Sequence, residues 1–436
     1  MASRRSLPLF LALFLLFSTA VDPVLGQESD RIWGRVTTVS GDVHEGFIRW
    51  DRNEAAWADV LDGSKEFKPF LFEDWWNLAN PGNRERDRVV ELAGYRITWD
   101  DDEPEFPDYH ESGIRVGHIR RLTVADRERA QLELRSGLVV ELEEGSTDLG
   151  HDLREIVVTG LDGGAVELEW DDLRSVEFET APVGATAPGR RLHGTLVHDD
   201  GTRFTGYVAW DMQKVLTTDT LEGFDSEDTR RRIPFGQIVS IRRTWRGAEI
   251  TLTSGGTMEL SGRDDVDDSN DGIQISDPSL GLVEVDWEQM DHVRFHPPDE
   301  AGGPVGLDGF DGGRRLRGTV MTVDSTEVSG WVRWDGDEEF TWELLDGYYA
   351  GVGYDIEFGK IASIERTVGI STAVEVGPTG VNVSTEDEEG AKVRLRDGRV
   401  FELTGSNDVD DSNDGIYVLL HGSGRSPEDP EAEWVM

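Results

Sequence analysis

The chain has 436 residues, 88 of them acidic against 43 basic, for a net charge of -45. A field of that sign repels phosphate backbones and anionic lipid heads, which excludes nucleic acid as a partner. Cysteine is absent, which removes disulfides and a lipobox thiol and, in an exported chain, favours a bacterial periplasm or cell surface.

Export is expected from the first residues. Arg4 and Arg5 precede an apolar run from Leu7 to Phe17, and small residues suited to cleavage follow at Ala20 and Gly26, the pattern of a secretory signal peptide over residues 1–26. The apolar run is shorter than the roughly 20 residues a spanning helix takes. The mature chain is expected in the periplasm or outside the cell, with no membrane insertion.

From Arg31 onward one phrase is written three times. RIWGRV, GFIRWD and LDG run from Arg31 to Gly63; RLHGTL, GYVAWD and LEG from Arg191 to Gly223; RLRGTV, GWVRWD and LDG from Arg315 to Gly347. Gly34 to Gly46, Gly194 to Gly206 and Gly318 to Gly330 are each twelve residues apart. Alternating apolar residues such as Val320, Val328 and Val332, with glycine and Asp-rich turns between them, read as short half-buried strands. Each copy closes with related strings, GHIRRLTV, RRIPFGQIVSIRRT and DIEFGKIASIERT.

A second half follows in each copy, beginning at Ala130, Ala248 and Ala391, and its last strand carries Trp170, Trp287 or, truncated, Trp434. Six β modules of roughly 45 to 60 residues, grouped as three pairs, follow from this periodicity. The pairs cover residues 27–180, 191–298 and 315–436, separated by APVGATAPGR and PPDEAGGPVGLDGFDGG, stretches with the composition of linkers. Insertions occupy 65–112 and 368–390, and within the first, Glu73 to Ala79 is the one segment expected to be helical.

A short strand with a fixed glycine, a bent strand ending in Trp-Asp, and a last strand of form F-G-x-I-x-S-I resemble the small five-stranded barrels of the SH3-like and Sm-like type, repeated along exported bacterial proteins. The resemblance implies an all-β chain of tandem small barrels. The RNA-binding residues of the Sm family have no counterparts in this sequence.

The most specific local string is DVDDSNDGI, identical at Asp265–Ile273 and Asp408–Ile416. Asp267, Ser269, Asp271 and Gly272 fall at positions one, three, five and six of an EF-hand-like loop, which marks Asp265, Asp267, Ser269 and Asp271, with Asp408, Asp410, Ser412 and Asp414, as candidate calcium ligands. Position twelve is Pro278 or His421, so the bidentate glutamate is missing, and the competing reading is a pair of Asx turns bonding their own backbone. The older string GSTDLGHDLREI keeps only Asp148 and Asp152 and is expected to bind no metal.

Trp50, Trp210 and Trp334 share one repeat position and are expected to be core pillars. Trp75 and Trp76, in the insertion beside Phe67, Phe70 and Phe72, either pack between modules or present an aromatic surface to a glycan. The histidines are scattered, HGSGRS around Ser423 lacks the nucleophile-elbow context, and no phosphate-cradling loop is present. The sequence therefore reads as a non-enzymatic binding or scaffold protein of the bacterial envelope, with an envelope protein or glycan as partner and calcium as the one cofactor it admits. A glycan-binding array is the alternative, and an enzyme acting through residues 65–112 the third reading.

Overall fold

The computed structural model describes residues 30–66, 89–92, 95–98, 109–144, 148–298, 305–377, 380–420, 426, 427 and 434. The signal peptide, the 73–79 helix, Trp75 and Trp76 lie outside these residues.

Every strand pairing among the described residues is antiparallel, and two large sheets dominate. The first copy forms a ten-stranded sheet that runs, edge to edge, from Ala165–Leu168 through Val43–Trp50, Trp33–Thr38, Leu173–Phe178 and Ile119–Val124 to Val60–Glu66 and Tyr109–Arg115. The second and third copies share a thirteen-stranded sheet. Its seam is the pairing of Gly281–Val285 with Val352–Glu357, Gly281 opposite Ile356 and Glu284 opposite Gly353.

This corrects the expectation of six discrete SH3-like or Sm-like barrels: the protein is one continuous, antiparallel, β-sandwich-like body with large open sheets. Two local features explain the difference. In the first two copies the last strand of the second half does not close on its own module; Leu173–Phe178 pairs with both Trp33–Thr38 and Ile119–Val124, and Met290–Phe295 pairs with both His193–His198 and Ile238–Thr244. The seam then carries the sheet from one copy into the next. Alternation of apolar residues specifies that a strand has a buried face, and says nothing about which edge it joins.

The glycine-marked closing strings have a common local form. Val116–His118, Phe235–Gln237 and Phe358–Lys360 are single 3-10 turns, and so are Trp170–Asp172 and Trp287–Gln289 in the second halves. In each, the following residue donates its amide to the first carbonyl of the turn and enters the closing strand. The 368–390 insertion lengthens one hairpin, Ile361–Gly377 against Gly380–Leu395, whose register is unbroken from Ser363 to Gly377.

Apolar faces of these sheets enclose two cores. One holds Trp50, Trp57, Leu122, Leu142 and Trp170, and reaches Phe310, Phe340 and Trp342; the other holds Trp210, Ile241, Ile275, Trp287, Ile356 and Leu403. Trp50 and Trp210 are fully buried, whereas Trp334 is half-buried against the second core.

Charged side chains lock the copies together at one repeated position. In each copy a carboxylate accepts two successive backbone amides three and four residues before it: Asp59 from Ala55 and Ala56 (2.8 Å each), Asp219 from Val215 and Leu216 (2.8 and 2.9 Å), Glu343 from Glu339 and Phe340 (2.5 and 2.7 Å). Each then takes a cation from a different copy. Asp59 pairs with Arg191 at 3.0 Å, Asp219 with Arg49 at 2.8 Å, and Glu343 with Lys65. Arg115 of the first copy reaches Glu357 (3.3 Å), Ser276 Oγ (2.8 Å) and the Gly281 carbonyl (2.9 Å). Charge-assisted bonds between buried partners hold position and register, because a misplaced partner would leave an uncompensated buried charge.

Candidate functional site

The Trp-Asp phrase and the DVDDSNDGI string meet in space, and together they form one latch per copy. The indole of Trp50 donates to the Asp148 carbonyl at 2.7 Å, Trp210 to that of Asp265 at 2.9 Å, and Trp334 to that of Asp408 at 2.9 Å. The side chains of the same three aspartates accept strand amides: Asp148 from Asp62 (2.8 Å), Asp265 from Glu222 (2.5 Å), Asp408 from Asp346 (2.7 Å). The aspartate after each tryptophan sits in the left-handed region, with φ of 38° at Asp51, 53° at Asp211 and 49° at Asp335. There its carboxylate accepts an amide of the facing loop, from Arg154 (2.6 Å), Asp271 (3.0 Å) or Asp414. Aspartate suits this place because it tolerates left-handed backbone and bonds main chain locally.

The candidate calcium ligands are thereby located. Asp265 and Asp408 are buried latch acids, and Asp148 does the same work in the first copy although its string has drifted. Asp267 Oδ1 accepts the Ser269 amide at 3.1 Å, and Asp410 Oδ1 accepts the Ser412 amide at 2.9 Å and its hydroxyl at 2.5 Å, which is Asx-turn geometry. Ser269, Ser412 and Asp271 are exposed, and Asp414 is half-buried. Among the described residues, the one set of three or more acidic or histidine side chains whose ligand atoms lie within 4.8 Å of one another is Glu128, Glu144 and His151. That loose cluster is partly exposed, and its histidine already bonds Glu144 at 3.0 Å and pairs with Asp152 at 3.6 Å. It could chelate a metal, with nothing that selects calcium.

The latches differ at the residue four beyond the tryptophan, which bridges back to it in every copy: Glu54, Lys214 and Glu338. In the second copy the Lys214 ammonium pairs with Asp211 at 2.6 Å and also with Asp265. Burial draws its pKa down, but the bonds from those two aspartates outweigh it and raise it. In the first copy the position is acidic: Glu54 is buried with its Oε2 unpartnered, and the cation of that latch, Arg154, clasps the neighbouring Asp51 carboxylate at 2.9 and 2.5 Å and the Asn53 side chain at 2.8 Å. In the third copy Glu338 takes the lysine position and Asp414 the arginine position. Among the described residues no lysine or arginine pairs with Asp335, Glu338, Asp408 or Asp414.

A cavity of about 470 Å³ opens beside this third latch, between the strands of the first copy carrying Asp62 and Glu111 and the third-copy segments carrying Asp337, Glu338, Asp346, Asp355 and Asp408. Burial is the main cause of a shared upward pKa shift. It lifts the fully buried Asp335 to about 8; Asp62 and Asp346 line the cavity from its solvent-exposed side and are raised as well. Glu338, Asp355 and Asp408 are pushed well above the ordinary carboxylate range, again by burial first and then by neighbouring carboxylates, with the Lys65 ammonium opposing the shift at Glu338 without cancelling it. At the rim the Lys65 ammonium is engaged by Glu343 and the Asp337 carbonyl (2.6 Å), and the His110 ring lies 3.5 Å from the Asp337 carboxylate. Negative charge packed this densely away from water is costly unless protons or a cation offset it.

This site was hidden in the sequence, since Glu338 and Asp337 belong to a turn that reads as ordinary polar surface. The signal was the substitution pattern Glu, Lys, Glu at one repeat position. No protein-family model, curated protein or solved structure matches this chain. Among the described residues no helix is long and apolar enough to cross a membrane.

Proposed function

We propose that this is an exported, non-enzymatic binding or scaffold protein of the bacterial envelope. The observation that supports it is the interlock: each copy's capping acid, Asp59, Asp219 or Glu343, holds a cation from another copy. Three copies fixed in this way form a platform with defined spacing between its faces, which suits holding partners in register. Asymmetric catalytic clefts, by contrast, are built around titratable groups within reach of a nucleophile or an oxyanion donor. Trp245, 83 % exposed in a two-residue hairpin turn with the Arg246 guanidinium 4.1 Å above its ring, is the point on that platform from which a partner is best sought.

The test is co-sedimentation of the purified exported protein with isolated envelope and, separately, with purified cell-wall polysaccharide. Retention by envelope that is reduced by Trp245→Ala, with no soluble fragments released from the polysaccharide, is expected. Retention by polysaccharide alone, lost when Trp75 and Trp76 are both changed to Ala, would favour the glycan-binding reading, and release of soluble products would point to an enzyme.

A further inference from the structure

The second copy shows what the latch does with its buried carboxylates: it brings an ammonium, Lys214, against Asp211 and Asp265. The third copy has the same two acids, Asp335 and Asp408, accepting the same backbone amides; Glu338 stands where the lysine was, and only the neutral Asn407 amide reaches the Asp335 oxygen that the ammonium holds in the second copy. One positive charge is lost and one negative charge gained at a buried position. Glu338 is only 8 % exposed, lines the 470 Å³ cavity, and its Oε2 has no hydrogen-bond partner; Oδ1 of Asp337, beside it, is likewise without one. A buried carboxylate oxygen left without a donor is strongly disfavoured, and the Lys214 ammonium marks where a cation belongs.

We infer that the third latch binds a hydrated divalent cation, held by Glu338, Asp408, Asp337 and Asp346, in the place that the Lys214 ammonium takes in the second. Oxygen-only ligands are the chemistry of calcium and magnesium. No three of these carboxylates converge within 4.8 Å, so the ion keeps part of its water, and the cavity has room for it. This site is separate from the Asx turns at Asp267 and Asp410, and it stands independently of the partner proposed above.

Calorimetric titration of the full, chelator-stripped protein at pH 7.5 with calcium, and in parallel with magnesium, tests it. A single class of site with Kd on the order of 10⁻⁴ M is expected for one of the two ions. E338Q, which keeps shape and removes charge, should weaken binding at least tenfold. E338K should abolish it, because it rebuilds the second latch. The reciprocal change K214E should add a second site of comparable affinity, and D267N with D410N should leave the titration unaltered. Circular dichroism verifies that each variant is folded, and E338Q alone decides the matter if E338K is not. No heat with either ion up to about 10 mM, equal binding by wild type and E338Q, or binding lost in D267N with D410N instead, would overturn the inference.

Discussion

At the level of single residues, the tryptophans and aspartates of the latch do one job in three contexts, and their burial ranks their contribution. Trp210 is fully buried, stacks edge-on against Trp287 with ring centroids 6.0 Å apart, and donates to Asp265. Trp210→Ala is expected to cost about 3–5 kcal/mol in urea unfolding, and Trp334→Ala less, because Trp334 is half-buried. The tryptophan positions were legible from their spacing. The aspartates were legible only in part: Asp265 and Asp408 stand out inside an identical string, while Asp148 looks like a degenerate remnant, yet all three accept the same indole. Their separations from the tryptophan, 98, 55 and 74 residues, differ because of insertions, so no fixed spacing betrays the pairing. Strain at the next position offers a second residue-scale test. Arg52 and Met212 lie at φ of 74° and 50°, where the third copy has Gly336 at 81°. Left-handed backbone disfavours side chains, and the Arg52 pair with Glu155 at 2.9 Å is partly exposed and worth little. Arg52→Gly should therefore raise stability by about 0.5–1 kcal/mol.

At the level of elements, strands and turns follow from alternation and glycine placement, and the closing strings proved to be a 3-10 turn plus a strand in every copy. What escaped was closure. A five-stranded barrel and an open sheet can be written with the same period-two pattern, since the choice rests on which edges meet. The seam between Gly281–Val285 and Val352–Glu357 makes that choice, and it depends on backbone approach at Gly281, where an added Cβ would lie 1.8 Å from the Asp355 carbonyl oxygen. Gly281→Ala should cost about 3 kcal/mol, at the upper end of overpacking effects, and should raise hydrogen-exchange rates at Leu282 and Glu284 most. Unchanged exchange along that strand would show that the two copies do not share a sheet.

For the whole molecule, charge is the governing quantity. Much of the net charge of -45 lies on the surface, but Asp335, Glu338 and Asp408 are buried together at the third latch, with further acids lining the cavity beside them. The sign of its pH effect follows from proton counts. Asp335, at about 8, has a pKa raised above that of the unfolded chain, and the more exposed Asp62 is raised in the same direction. Between about pH 4 and 8 the folded state thus binds more protons than the unfolded one, and stability falls as pH rises through that window. His118 acts in the opposite sense below about pH 6.5, since burial and Arg115 lower it to about 4. Asp30, lifted to about 6 by burial, adds to the fall without touching the cavity. Above about pH 6.5 the cavity carboxylates dominate, and a cation bound among them should oppose the loss.

The most direct test is equilibrium urea unfolding of wild type and E338K at pH 6.5 and at pH 8.5, with and without the ion that binds. Without the ion, wild type should be less stable at pH 8.5 than at pH 6.5, the ion should restore most of the difference, and E338K should show a smaller fall and no response to the ion. Stability that is flat or rising over this interval, or an ion response equal in wild type and E338K, would contradict the account of a negative centre whose carboxylates outnumber its one neighbouring ammonium, Lys65.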